Sequence, residues 1–261
     1  MKIAVIGVGE MGGAIVKGLL QSEQCRPADL TLSAPHQSTL DRFQGTGVRT
    51  TTDNSEAARD ADIVILAVKP QVAEDVLTGL SDVLDFRKQQ LISVVARLSA
   101  ARIASLLHRE GRQMLPIYLA VPNIAIAVKA SMTLLVATNA SEAQQQVVSD
   151  LFEELGGCLE TTEQLLPAGT SLASCGLAYA LRYIRAASEG GVELGFKAAE
   201  AQRIVVQTVK GAAALLEATG EHPEALIDQV TTAGGITIRG LNEMEHAGFS
   251  SSVIRGLKAG S

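Results

Sequence analysis

Tryptophan is absent from this chain, and aromatic residues make up only 3% of its 261 positions. A core must therefore rest on Ala, Val, Ile and Leu, a composition that suits a parallel sheet covered on both faces by helices. The same poverty removes the stacking platforms that single-stranded nucleic acids need, and a net charge of −6 removes a phosphate-neutralising face, so no nucleic-acid partner is expected. Long apolar runs are missing as well. Ile63 to Val68 and Leu91 to Ala96 are about six residues each, against the ~20 that cross a bilayer, so no membrane partner is expected. A single Lys before a strand-like run ending in glycines does not read as a signal peptide. Cys25, Cys158 and Cys175 form no C-x-x-C pair, and His36, His108, His222 and His246 do not cluster with them. Neither a disulfide framework nor a metal site is expected, and the plain reading is a reduced, cytoplasmic protein.

What the chain does contain is an alternation of strand-like and helical patterns through its first ~155 residues, as a βαβ series requires. Strands are predicted at Lys2–Ile6, Leu30–Ala34, Asp62–Val68, Leu91–Ala96, Met114–Val121 and Met132–Thr138, the last closing the series. A helix is predicted over Glu10–Gln21 with Met11, Ala14, Ile15 and Leu19 on its apolar face, and a short one from Ser38. Ser141 reads as the cap of a helix running towards Gly156–Gly157. Beyond about Thr161 the strand signal fades. Helical patterns follow at Ser171 to Leu194, Ala198 to Thr219, Pro223 to Val230, Ile236 to Ala247 and Ser251 to Lys258, punctuated by Gly195, Gly220 and Gly248. The expected division is therefore 1–157 and 158–261. The second part is rich in Ala and Leu, with more apolar face than so small a domain can cover, which points to burial against another subunit.

Gly7-Val8-Gly9-Glu10-Met11-Gly12 follows the first strand and opens the first helix. In that context a G-x-G-x-x-G motif has a physical meaning: Gly7 permits the tight turn, Gly9 lets backbone approach a pyrophosphate, and Gly12 lets helix and strand pack closely. The helix amino terminus offers N–H groups and partial positive charge to the phosphates. The fold class implied is an α/β, doubly wound Rossmann-type sheet followed by an all-α dimerisation domain. Proteins that bind NAD usually place an Asp or Glu about twenty residues beyond the glycines, on the ribose hydroxyls. Here the second strand runs on as Ser33-Ala34-Pro35-His36-Gln37-Ser38, with no carboxylate and no adjacent Arg. NADP(H) is therefore expected over NAD(H), with Ser33, His36 or Ser38 as hydrogen-bonding partners of a 2′-phosphate. His36 reads equally well as a solvated loop residue.

Five separated blocks resemble the pyrroline-5-carboxylate reductase family: the opening glycine motif; Thr52-Asp53-Asn54 with the strand leading to Ala67-Val68-Lys69-Pro70-Gln71; Val121-Pro122-Asn123; Ala178-Tyr179 with Gly190 to Gly195; and Asp228 to Thr237 leading into Gly240-Leu241. The resemblance covers essentially the whole chain. It implies NAD(P)H-dependent reduction of the C=N bond of 1-pyrroline-5-carboxylate to proline, by a Rossmann domain and a helical domain that interlocks with its twin in a homodimer or larger homo-oligomer. By position, Gly7, Gly9, Glu10, Met11, Gly12, Asn54, Ala67, Lys69, Pro70, Ala96, Pro122 and Asn123 would line the cofactor. Val230, Thr232, Gly234, Gly235 and Ile236 would hold the substrate carboxylate, and Thr237 would hydrogen-bond the ring nitrogen as the catalytic group.

The chain departs from the family pattern at Arg97, where a Gly follows Ala, and at Ile124, Ala173, Cys175, Leu177, Ala233 and Ile236. Ile236 removes a hydroxyl from the carboxylate loop. Three other readings stay open on the residues. One is a reductase of a different cyclic imino acid. A second is a cofactor-binding paralog without turnover. A third, a β-hydroxyacid dehydrogenase, would place a catalytic Lys on the first long helix, whereas Ser171 to Leu194 carries Arg182 and Arg185 but no Lys.

Overall fold

The structure is a computed structural model and describes residues 1–111 and 113–260. Two compact units divide between Ser174 and Cys175.

The first unit is built on eight strands: β1 (Ile3–Ile6), β2 (Leu30–Ser33), β3 (Arg49–Thr51), β4 (Ile63–Leu66), β5 (Gln90–Ser93), β6 (Ile117–Val121), β7 (Ser131–Thr138) and β8 (Gly156–Glu160). They form one sheet in the order β3-β2-β1-β4-β5-β6-β7-β8. Every neighbouring pair is parallel except β6 and β7. That reversal follows from the short connection 122–130, which cannot make the crossover a parallel pair needs. The helices of this unit are α1 (Glu10–Leu19), α2 (Gln37–Leu40), α3 (Asn54–Arg59), α4 (Pro70–Leu80), α5 (Ala100–Leu107), α6 (Glu142–Glu153) and α7 (Leu166–Gly169).

Alternation along the buried strands divides the core into two layers. Ile3, Val5, Ile63 and Ile65 face α1 and α6, where Ile15, Val16, Leu19, Leu151 and Phe152 pack. Ala4, Ile6, Val64 and Leu66 face α3, α4 and α5, meeting Ala57, Leu77 and Ile103. Because β1 and β4 are buried on both faces, they read in sequence as unbroken apolar runs.

Two strands escape the sequence reading. β3 is an edge strand with the polar sequence Arg49-Thr50-Thr51 and no buried residue. β8 begins at the two glycines expected to end a helix, so β7 does not close the series. A β-carbon on Gly156 would collide with the Ser131 carbonyl across the β7–β8 ladder, so glycine is required there by strand approach. The boundary expected after Gly157 consequently falls inside a strand of the sheet.

Among its described residues, the regular elements of the second unit are all helices: α8 (Gly176–Glu193), α9 (Ala198–Thr219), α10 (Pro223–Val230), α11 (Ile236–His246) and α12 (Phe249–Ala259). Before α8, Thr170–Cys175 is wound as a π-helix, where continuous α-helix is expected. The Asn123 side-chain amide donates to the Ala173 carbonyl at 3.0 Å, an outside donor entering the ladder at this widened turn. Among the described residues from Cys175 onward, Ala201 alone is buried. A groove of about 490 Å³ is lined by Tyr179, Tyr183, Met244, Phe249 and Val253. No helix among the described residues is long and apolar enough to cross a membrane.

Candidate active site

The carboxyl ends of the parallel strands gather most of the expected cofactor residues on one edge of the sheet, where doubly wound folds bind ligands. Gly7 has φ +90°, and a β-carbon on it would lie 2.8 Å from Val68 Cγ1 and 2.9 Å from the Ala67 carbonyl oxygen. Its N–H donates to the Ser33 carbonyl at 2.9 Å, while the Ala67 N–H donates to the Ile6 carbonyl at 2.8 Å. The turn is thus clamped between β2 and β4. A β-carbon on Gly12 would collide with the Gly7 carbonyl oxygen and meet Ala67 Cβ at 3.1 Å.

Gly9 differs. Nothing lies within 4 Å of where its β-carbon would be, so protein packing does not demand glycine there; open space above backbone fits the approach of a dinucleotide phosphate. It is the N-cap of α1 without a side-chain cap bond, and among the described residues the N–H groups of Glu10, Met11 and Gly12 have no hydrogen-bond partner. These free donors are what an anion binds.

At the end of β2 the picture departs from expectation. Ser33 is buried, and its hydroxyl donates to Asn54 Oδ1 at 2.7 Å. The two expected cofactor residues thus meet, with the Ser33 hydroxyl donating within the pair. Asn54 is held at the start of α3 by the N-cap Asp53, whose carboxylate accepts from Ser55 N–H at 2.7 Å and Glu56 N–H at 3.3 Å. His36 is exposed at the N-cap of α2 with no side-chain cap bond, and Ser38 is exposed beside it. An arginine missing from this stretch of sequence arrives from further along. Arg42, on the turn after α2, donates from Nη2 to the carbonyls of Val8 and Gly9, the latter at 2.9 Å. Its guanidinium lies 5.0 Å over the Phe43 ring. The only sequence signal is a charged residue next to a buried aromatic.

Further along the same edge, Lys69 caps α4 and Pro70 opens it. Lys69 is exposed, and Ala67 is half-buried against the glycine turn. Ala96 and Arg97 are exposed after β5, with Arg97 at φ +62°, where a glycine would carry no strain and an Arg costs about 1–2 kcal/mol. Pro122 and Asn123 are buried after β6. Asn123 has three anchors: its N–H donates to Ser131 Oγ at 3.0 Å, its Oδ1 accepts from Ala125 N–H at 2.9 Å, and its amide reaches Ala173. Its side chain shapes the connection to β7.

In the helical unit the expected substrate residues share one turn between α10 and α11. Val230 ends α10 and is exposed, as are Thr232, Ala233 and Gly234. Gly234 has φ +69°, which favours glycine, and Gly235 N–H donates to the Thr232 carbonyl at 2.9 Å. Gly235 caps α11. Among the described residues the N–H groups of Ile236, Thr237 and Ile238, and the exposed Thr237 hydroxyl, have no hydrogen-bond partner. Ile236 turns its side chain outward and is 81% exposed. Burial pushes the Cys25 and Cys158 thiols up, away from nucleophilic character.

A glycine turn with free N–H groups on a doubly wound sheet, followed in the chain by an all-helical unit, defines a dinucleotide-binding protein of the two-unit type. Residues 163–261 match the family model for pyrroline-5-carboxylate reductase dimerisation, and residues 2–97 match one for coenzyme F420-dependent NADP oxidoreductase. A pyrroline-5-carboxylate reductase of Synechocystis sp. is 35% identical over 99% of this chain and 95% of its own length. Pyrroline-5-carboxylate reductase 1 of Dictyostelium discoideum is 39% identical over 98% of this chain, which spans about half, 48%, of that protein. The crystal structure of Plasmodium falciparum pyrroline carboxylate reductase with NADP bound is 25% identical, with a TM-score of 0.88 over 100% of this chain and 95% of that one. The chain belongs to the pyrroline-5-carboxylate reductase family.

Proposed function

We infer that the protein reduces the C=N bond of 1-pyrroline-5-carboxylate to proline with a nicotinamide dinucleotide, NADPH in preference to NADH. The observation that carries the dinucleotide half is Gly9: open space over bare backbone, beside three unpartnered N–H groups at the head of α1. The reduced nicotinamide supplies a hydride to the imine carbon, and the ring nitrogen retains or gains a proton. The chain's own part is binding and orientation. The backbone donors of residues 236–238 receive the substrate carboxylate at the head of α11. Thr237 Oγ sets the ring nitrogen by a hydrogen bond. Because these donors are backbone, the loss of a hydroxyl at Ile236 leaves them in place.

NADPH over NADH rests on the absence of a carboxylate from Ser33 to Ser38, at the end of β2, where one would repel a 2′-phosphate. A homodimer or larger homo-oligomer, assembled through the helical unit, rests on that unit's having, among the described residues, Ala201 alone buried. Leu194 is 83% exposed, and Phe196, Ile204, Leu215 and Ile254 are between 47% and 58% exposed.

Following NADPH absorbance with 1-pyrroline-5-carboxylate and with its six-membered analogue tests the reading. We expect oxidation with the five-membered ring and little with the six-membered one. In the Thr237→Ala variant kcat should fall about ten- to hundredfold, the worth of one hydrogen bond to a charged group, with NADPH affinity unchanged. NADPH binding without oxidation by either imine would reject turnover, and an unaltered kcat would remove Thr237 from the site.

A further inference from the structure

We propose that Arg42, admitted to the glycine turn by Gly13, is the cation that receives the 2′-phosphate of NADPH and so sets the choice between the two dinucleotides. This rests on the dinucleotide reading above and names the group that discriminates within it.

The buried Phe43 ring anchors the turn after α2 in the core and places the exposed Arg42 beside it, with its guanidinium 5.0 Å over the ring. It then leans on the outer side of the glycine turn, with Nη2 donating to the Val8 and Gly9 carbonyls. Those carbonyls fix the fork but do not neutralise it. Asp41, the adjacent carboxylate, accepts instead from Gln37 Nε2 at 3.1 Å and Gln44 Nε2 at 3.3 Å. Among the described residues no carboxylate pairs with Arg42, and no bond engages its Nη1 or Nε. A permanently charged guanidinium whose Nη2 is tied to backbone keeps Nη1 and Nε as donors, and Nη1 alone carries two N–H groups that phosphate oxygens accept.

Position selects which phosphate. A pyrophosphate would take the N–H side of the turn at the head of α1, whereas Arg42 holds the turn's carbonyls and arrives from the segment after β2, the side on which doubly wound folds place the adenine ribose. The 2′-phosphate is the only phosphate on that ribose face, and NADH lacks it.

Gly13 supplies the second observation. It lies inside α1, where a glycine is worth about 1 kcal/mol less than an alanine, so its presence needs a reason. A β-carbon there would stand 2.5 Å from Arg42 Nη2, 3.1 Å from Cζ and 3.6 Å from Nη1, with only the guanidinium in the way. The missing methyl is the space that the guanidinium fills.

The test is titration of the full-length protein with NADPH and with NADH, comparing the wild type with Arg42→Ala and Gly13→Ala. Arg42→Ala should raise the NADPH Kd about ten- to hundredfold and leave the NADH Kd within about twofold. Gly13→Ala keeps the charge and favours helix, yet displaces the fork; it should shift the Kd ratio in the same direction by a smaller factor while the thermal midpoint holds or rises. An unchanged ratio in Arg42→Ala, or an equal loss for both dinucleotides, would overturn the proposal and leave the dinucleotide reading standing. A wild type that binds neither dinucleotide would reject both.

Discussion

Single side chains in this molecule are governed by where their polar atoms end. Ser33 and His36 look alike as candidates in sequence, but one hydroxyl is buried on Asn54 and the other ring stands at the surface. Tyr118 shows the electrostatic consequence of such placement. Its ring is fully buried in β6, and its hydroxyl donates to Gln90 Oε1 at 2.8 Å. Burial first, and then the charge of Glu160, push its phenol up to about 12. An unfolded tyrosine titrates near 10. Between these values the unfolded chain releases a proton that the folded chain retains, so this contribution is complete below pH ~10 and is lost as the pH rises through ~12. Two pH units correspond to about 2–3 kcal/mol. Urea midpoints measured from pH 9 to 12 should fall steeply in the wild type and less steeply in Tyr118→Phe. Parallel slopes would show that Tyr118 does not control the alkaline limit.

Elements meet by way of their glycines, and two positions of one motif do different work. At Gly12 the obstacle to a methyl is the Gly7 backbone, so α1, with Ile15, Val16 and Leu19 fully buried on its inner face, would have to move away from β1. At Gly9 there is no obstacle, and φ −65° is open to any residue. Gly12→Ala should therefore lower stability by about 1–3 kcal/mol, the usual penalty of overpacking. Gly9→Ala should leave the thermal midpoint in place and weaken NADPH binding. Thermal melts beside cofactor titrations separate the two, and a destabilised Gly9→Ala would remove the argument that its open space serves a ligand. The buried strands β1 and β4 were readable because both faces are apolar. The polar edge β3 carries no such signal, and β8 begins with glycines whose cause is the Ser131 backbone on another strand.

For the molecule as a whole, the two units have different sources of cohesion. The first has two full apolar layers around its sheet. The second has Ala201 as its one buried residue among those described, and an apolar groove edged by Tyr183 and Phe249, whose rings meet at 6.5 Å. Helices this bare in water are stabilised by association. Sedimentation at micromolar concentration should give a dimer or larger species. Ile204→Glu combined with Leu215→Glu on α9 should shift it towards monomer while cofactor binding persists in the first unit. A monomeric wild type would contradict this.

Local periodicity and local backbone chemistry are legible in the chain alone, and they encode the glycine turn after a buried strand, the helical second half, and the ordered blocks that place the chain in its family. Tertiary structure decided what depends on residues far apart in the chain meeting in space. Ser33 meets Asn54 and Asn123 meets Ala173, while Arg42 reaches the glycine turn through the gap at Gly13. Periodicity reports which face of an element is buried, but not which polar atoms from distant segments will find one another there.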